Sequence, residues 1–73
     1  MTTFADLELV VALVEFQEDG IRAGQVGTVV HVFTEPSEAY LVEFANENGE
    51  TIAMVTAEPR KLARPNLHKD EGQ

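Results

Sequence analysis

Apolar and polar positions alternate along this chain in short blocks that read as strands. Leu7 to Val14 runs Leu-Glu-Leu-Val-Val-Ala-Leu-Val, nearly continuous and apolar. Such a run fits a buried helix turn or a strand. Its valines and the absence of flanking helix caps favour a strand over Leu9 to Val14. The densest β-branched block, Val26 to Phe33, follows two glycines three residues apart, Gly24 and Gly27. It predicts a tight turn feeding a long twisted strand, with Gly24 at the turn and Gly27 at a bulge. Strict alternation then puts Val26, Thr28, Val30 and Val32 on one face and turns His31 away from the core. In Ala39 to Phe44 the alternation sets Tyr40, Val42 and Phe44 inward and Glu43 outward. A fourth strand, Glu50 to Thr56, admits two inward sets, Ile52 with Met54 or Ala53 with Val55, and the pattern does not choose between them. The last short strand, Arg60 to Ala63, buries Leu62 after a break at Ala57-Glu58-Pro59 that can hold one 3₁₀ turn.

The connections between these blocks carry turn chemistry. Glu15 to Ala23 forms a loop longer than the usual four to six residues, and that length marks it as a binding element. Phe16 in this loop either lids the core or stands out as an interface anchor. Glu35-Pro36-Ser37-Glu38 is a proline turn, because proline cannot continue a central ladder. Asn46-Glu47-Asn48-Gly49 ends in Asn-Gly, a strong hairpin signal, although its loop exceeds two residues. Residues 1–6 read as a flexible lead-in, 7–64 as the domain, and 65–73 as a polar, disordered tail. Five short strands with turns at about ten-residue spacing predict an all-β barrel or sandwich.

Composition narrows the function classes. A chain of 73 residues is one small domain whose burial on folding is modest. It has no cysteine, hence no disulfide and no thiolate nucleophile or ligand. No run approaches the roughly 18 apolar residues of a membrane span, and the N-terminus lacks a signal-peptide pattern, so a cytoplasmic address is expected. The net charge is −8. Through Pro59 the single base is Arg22, against eleven acids, and four bases follow. Such a body repels phosphate backbones and anionic membranes, which proteins approach through Lys and Arg. It is either an ordinary solubilising surface or a face for a basic partner.

Catalytic constellations are not evident. Ser37 lies between Pro36 and Glu38 in a turn, with no nucleophile-elbow pattern around it. The two histidines, His31 and His68, are far apart, whereas a metal site gathers three or four ligands. His31 therefore reads as an exposed strand residue rather than as a ligand or proton carrier. Glu43 and Glu50 flank one turn and can face each other, but on the solvent side. Glu58, Arg60 and Lys61 read as a surface ion network. The expectation is no catalytic residue, no cofactor and no metal.

The order of long loop, Gly-x-x-Gly-x-Val strand, Tyr-x-Val-x-Phe strand, Asn-Gly turn, strand, break and Leu-bearing short strand resembles an SH3-like barrel. From Leu9 to Leu62 the chain more closely resembles a small bacterial family known only as domain of unknown function 4926. Val11-Ala12-Leu13, Gly20, Arg22, Gly24, Val26 to Val30, Val32, Tyr40 to Phe44, Gly49 and Leu62 carry the likeness. It implies a small barrel and, since the family name carries no activity, offers no catalytic or binding residues to carry over to this chain. Gly27-Thr28-Val29 after its glycine turn is also similar to the KOW motif of ribosomal and elongation proteins. That likeness implies RNA or protein contact, but the basic residues that flank the glycines of that motif are here reduced to Arg22. Gly24-x-x-Gly27 with Tyr40-x-Val42-x-Phe44 is similar to the barrel of the nitrile hydratase β-subunit, which implies an accessory role in a larger enzyme.

The function expected is a non-catalytic protein-binding module, with antitoxin-like, immunity-like and accessory-subunit roles as subclasses. Its candidate docking residues are Phe16, Glu18, Asp19, Arg22, His31 and Phe33. The expected partner is another, basic protein. A homo-oligomer is expected too, since a small core gains by covering Leu7, Phe33 or strand edges. The rival readings are a KOW-type nucleic-acid or ribosome-associated domain and an enzyme's accessory subunit. Neither nucleic acid nor membrane is favoured.

Overall fold

A computed structural model of the chain describes residues 2–65. Five strands, β1 (Leu9–Ala12), β2 (Val26–Phe33), β3 (Ala39–Ala45), β4 (Thr51–Ala57) and β5 (Leu62–Ala63), form one antiparallel sheet in the order β4-β3-β2-β1-β5. The sheet curls into a half-barrel, the all-β architecture expected, with 3₁₀ turns at Gln17–Asp19 and at Pro59–Lys61 just before β5. Strand β2 has the expected bounds. Strand β1 is shorter than expected: it stops at Ala12 and leaves Leu13 and Val14 exposed beyond it.

Strict alternation fails in β2, and the reason is a bulge. Val29 faces Val42 and His31 faces Leu41, so Val30 is an extra residue with no opposite number. An inserted residue reverses which face the following side chains occupy. Before it, Gly27 and Val29 point inward; after it, Val32 does, across from Tyr40. The expected inward set of Val26, Thr28, Val30 and Val32 is therefore wrong for its first half. Val26 and Thr28 lie on the outer face, where Val26 pairs with Val11 and Thr28 with Leu9.

The bulge is likewise not at Gly27. That glycine sits in regular strand because the neighbouring strand comes too close for a side chain. A Cβ there would lie 2.7 Å from Val42 Cγ1, 2.8 Å from the Glu43 carbonyl oxygen and 2.9 Å from Phe44 Cδ1. Gly24 meets the expectation directly: its φ of +96° is the turn conformation that side chains resist.

The core lies inside the curl. Tyr40, Val42 and Phe44 on β3 are fully buried, as their alternation predicts, and Val55 and Ala57 on β4 pack against them. Of the two possible inward sets on β4, the structure selects Ala53 with Val55, leaving Ile52 and Met54 outside. Leu62 on β5 is buried as expected. Two core residues come from segments without strand pattern. Ile21, in the β1–β2 loop, is fully buried, and Phe4 is 3% exposed. The reading of residues 1–6 as a loose lead-in does not hold for Phe4. Its ring meets Tyr40 edge-on at 5.2 Å, its N–H donates to the Tyr40 hydroxyl at 3.0 Å, and the Arg64 guanidinium covers it at 5.0 Å. Most of the expected C-terminal tail, including His68, falls outside the described residues.

Candidate functional site

The ladder directions place the β1–β2 loop and the β3–β4 turn at the same end of the sheet, since Gly27 near the start of β2 faces Phe44 near the end of β3. Both connections are acidic. Glu15, Glu18 and Asp19 come from the first, Glu47 and Glu50 from the second, and Arg22 is the one base between β1 and β2.

Neither connection is shapeless. In the first, Phe16 and Ile21 exchange backbone hydrogen bonds of 2.8 and 3.2 Å around the 3₁₀ turn, and Gly20 closes it at a φ of +72°. Ile21 pins this small hairpin to the core. Phe16 is half-buried beside Phe44, with ring centroids 6.5 Å apart, so it covers the open end of the core rather than standing out. Arg22 and Gln25 close a further turn, with the Arg22 N–H donating to Gln25 Oε1 at 2.7 Å. In the second connection the Asn46 side chain accepts from the Asn48 and Glu50 N–H groups at 2.9 and 3.0 Å. The buried Phe16 edge and these turns hold Glu18, Asp19, Arg22, Glu47 and Glu50 outward on fixed backbone.

The structure brings Phe16, Glu18, Asp19 and Arg22 together but does not join His31 and Phe33 to them. Those two lie toward the other end of β2, where His31 is exposed and stacks edge-on against Phe33 at 4.5 Å. At about 3.3 Å of rise per residue, His31 stands roughly 17 Å along the strand from Val26. After the bulge both rings occupy the outer face. Glu43 and Glu50 do not face each other either: Glu43 lies opposite Met54 and accepts from the Thr51 hydroxyl, while Glu50 accepts from the Asn46 amide at 3.0 Å.

At the far end, Ser37, Glu38, Glu58, Pro59 and Arg60 line a shallow groove of about 340 Å³. Its charged side chains are already engaged. Glu38 accepts from the Tyr40 hydroxyl and from the Thr3 N–H at 2.7 Å, and Arg60 pairs with Glu58 at 2.6 Å. The Tyr40 hydrogen bond, seconded by Thr3, holds the Glu38 carboxyl below its ordinary value. Arg60 does the same for Glu58. Both carboxylates are thus ionised near neutral pH and have no proton to give, and no histidine lines the groove around Ser37. Among the described residues no three His, Asp or Glu side chains are arranged to hold a metal ion.

Sequence reasoning missed this Thr3–Glu38–Tyr40 link, although one signal was available. A tyrosine at a fully buried strand position needs a partner for its hydroxyl, and an acid two residues away at the strand's start supplies it.

The fold places the chain in a class of small all-β half-barrel domains with tightly turned loops. The family model described as Domain of unknown function (DUF4926) matches residues 7–64, and the chain belongs to that family. No curated protein and no solved structure matches it. Among the described residues no helix is long and apolar enough to cross a membrane.

Proposed function

We propose that this chain is a non-catalytic protein-binding module whose acidic end receives a basic partner. The carrying observation is how its own cations are spent. Arg60 and Arg64 are tied to Glu58 and Glu8, which leaves Arg22 and Lys61 to answer all the remaining acids of the described residues. Glu18, Asp19, Glu47 and Glu50 then share one end on turns that need no reordering to bind, which lowers the entropic cost of docking. A field of one sign speeds encounter with an opposite partner and rejects like-charged ones. The same field disfavours the KOW-type nucleic-acid reading, because the described residues hold only four bases to replace counterions and two of these are paired internally.

The test uses the full chain and a Glu18→Lys/Asp19→Lys variant, each immobilised and challenged with lysate of the source cell at about 0.15 M salt, inside the range where exposed charge pairs still attract. A protein retained by the former, released by salt and lost on the variant supports the proposal. Retention of nucleic acid, or of a protein indifferent to the variant, overturns it.

A further inference from the structure

The two edges of this sheet are protected very differently. Strand β5 is two residues long and is bordered by Lys61, Arg64 and Pro65, the devices that keep an edge from pairing with another chain. Strand β4 is the opposite: Thr51–Ala57 reads Thr-Ile-Ala-Met-Val-Thr-Ala, with no charge, proline or glycine in seven residues. A register shift opposite Phe44 and Ala45 bulges the strand at Ile52, which leaves Ala53 to Ala57 regular. Its inner edge is bonded to β3. Among the described residues its outer edge forms no backbone hydrogen bond to any other segment. Ile52 and Met54, both 48% exposed, stand beside that edge.

We propose that β4 pairs antiparallel with β4 of a second copy across a two-fold axis normal to the sheet, giving a continuous ten-stranded sheet. Two features favour a second copy as the occupant. A strand without charges meets no like charge when it lies against itself. The flanks are also complementary in the one orientation a two-fold allows. The segment before β4 carries Glu47 and Glu50 with no base, and the segment after it carries Glu58, Arg60 and Lys61. Because Arg60 is paired with Glu58, it is Lys61 that antiparallel pairing brings toward the acids of the other copy. Every outward N–H and C=O of the regular segment then finds a ladder partner, and Met54 loses water on one side. The inference shares Glu47 and Glu50 with the acidic-end reading but does not rest on it: the ladder belongs to β4, and Glu18 and Asp19, where that reading is tested, lie outside the strand and its flanks.

The test runs in two arms on the full chain. Sedimentation equilibrium over about 0.05–1 mM, suited to a weak interface of small area, should show a monomer–dimer equilibrium. The variant Met54→Lys/Thr56→Lys should weaken it at least tenfold, with the melting temperature of the dilute monomer unchanged, because both side chains are exposed and position 54 faces Glu43. In the second arm single cysteines are placed in a chain that has none. Met54→Cys should form disulfide dimers at least tenfold faster than Leu9→Cys, its match in exposure at 48% against 46% but three strands away in the sheet. A chain monomeric at the highest concentration overturns the proposal. So does a dimer that survives the double lysine variant, or one whose cross-linking favours position 9. In any of these cases the basic-partner reading is untouched.

Discussion

Replacing Gly27 by alanine is the most direct test of how the half-barrel closes on itself. The backbone there is ordinary strand, so alanine brings no φ penalty. Restricting the unfolded chain would by itself stabilise by about 0.4–1 kcal/mol. The added methyl, however, meets Val42 Cγ1, the Glu43 carbonyl and Phe44 Cδ1 at 2.7, 2.8 and 2.9 Å. Two of these are core side chains with no exposure, and the third is a backbone atom of the strand bonded to β2, so none can swing aside cheaply. Overpacking of this kind costs about 1–3 kcal/mol, which outweighs the entropic gain. The net loss expected is about 1–2 kcal/mol, out of the roughly 4–11 kcal/mol available to a domain of 73 residues. In urea, with a slope near 1 kcal/mol/M for so small a protein, the midpoint should fall by about 1–2 M. Thermal melting should drop by about 4–8 °C for each kcal/mol. Val42→Ala in the same chain removes one of the three contacts, so the double variant should be less unstable than the two single losses added together. An alanine variant as stable as the parent, or losses that simply add, would refute the account of Gly27 as a close-approach residue.

Tyr40→Phe should cost about 1–3 kcal/mol in urea denaturation, because it strands the N–H of buried Phe4 as well as unhooking Glu38; an unchanged midpoint would show that the N-terminal segment is not anchored there. The contribution of Glu38 has a defined pH dependence. Its folded carboxyl is held below the ordinary 4.5, first by Tyr40, so the stability it confers is fully present above that pH and fades as pH falls through the lowered value. The gap in urea midpoint between the parent and Glu38→Gln should accordingly be full at about pH 6 and shrink steadily as the medium is acidified below the ordinary 4.5. A gap that widens with acid would contradict the sign.

What the linear chain determined here is whatever depends on local pattern. Tyr40, Val42 and Phe44 alternate without interruption, and all three are in the core; the turn at Gly24 and the Asn-Gly hairpin follow from backbone preferences of single residues. These signals are legible because each is complete within a few neighbours. The loop residues Phe16, Glu18, Asp19 and Arg22 could be grouped for the same reason, whereas His31 and Phe33 were assigned to them without any local cause. Tertiary structure decided the rest. The extra residue at Val30 reversed the faces of β2, and a bulge leaves no mark in a run where every candidate is β-branched. Between Ile52–Met54 and Ala53–Val55, only pairing with β3 could choose, since both sets are apolar and differ by a one-residue slip. Phe4 and Ile21 reached the core from segments without periodicity. The curl of the sheet leaves the core open at both ends, with Phe4 beside Tyr40 at one and the Phe16–Ile21 hairpin at the other. A buried aromatic or aliphatic side chain releases enough water-exposed surface to hold an otherwise irregular backbone in place.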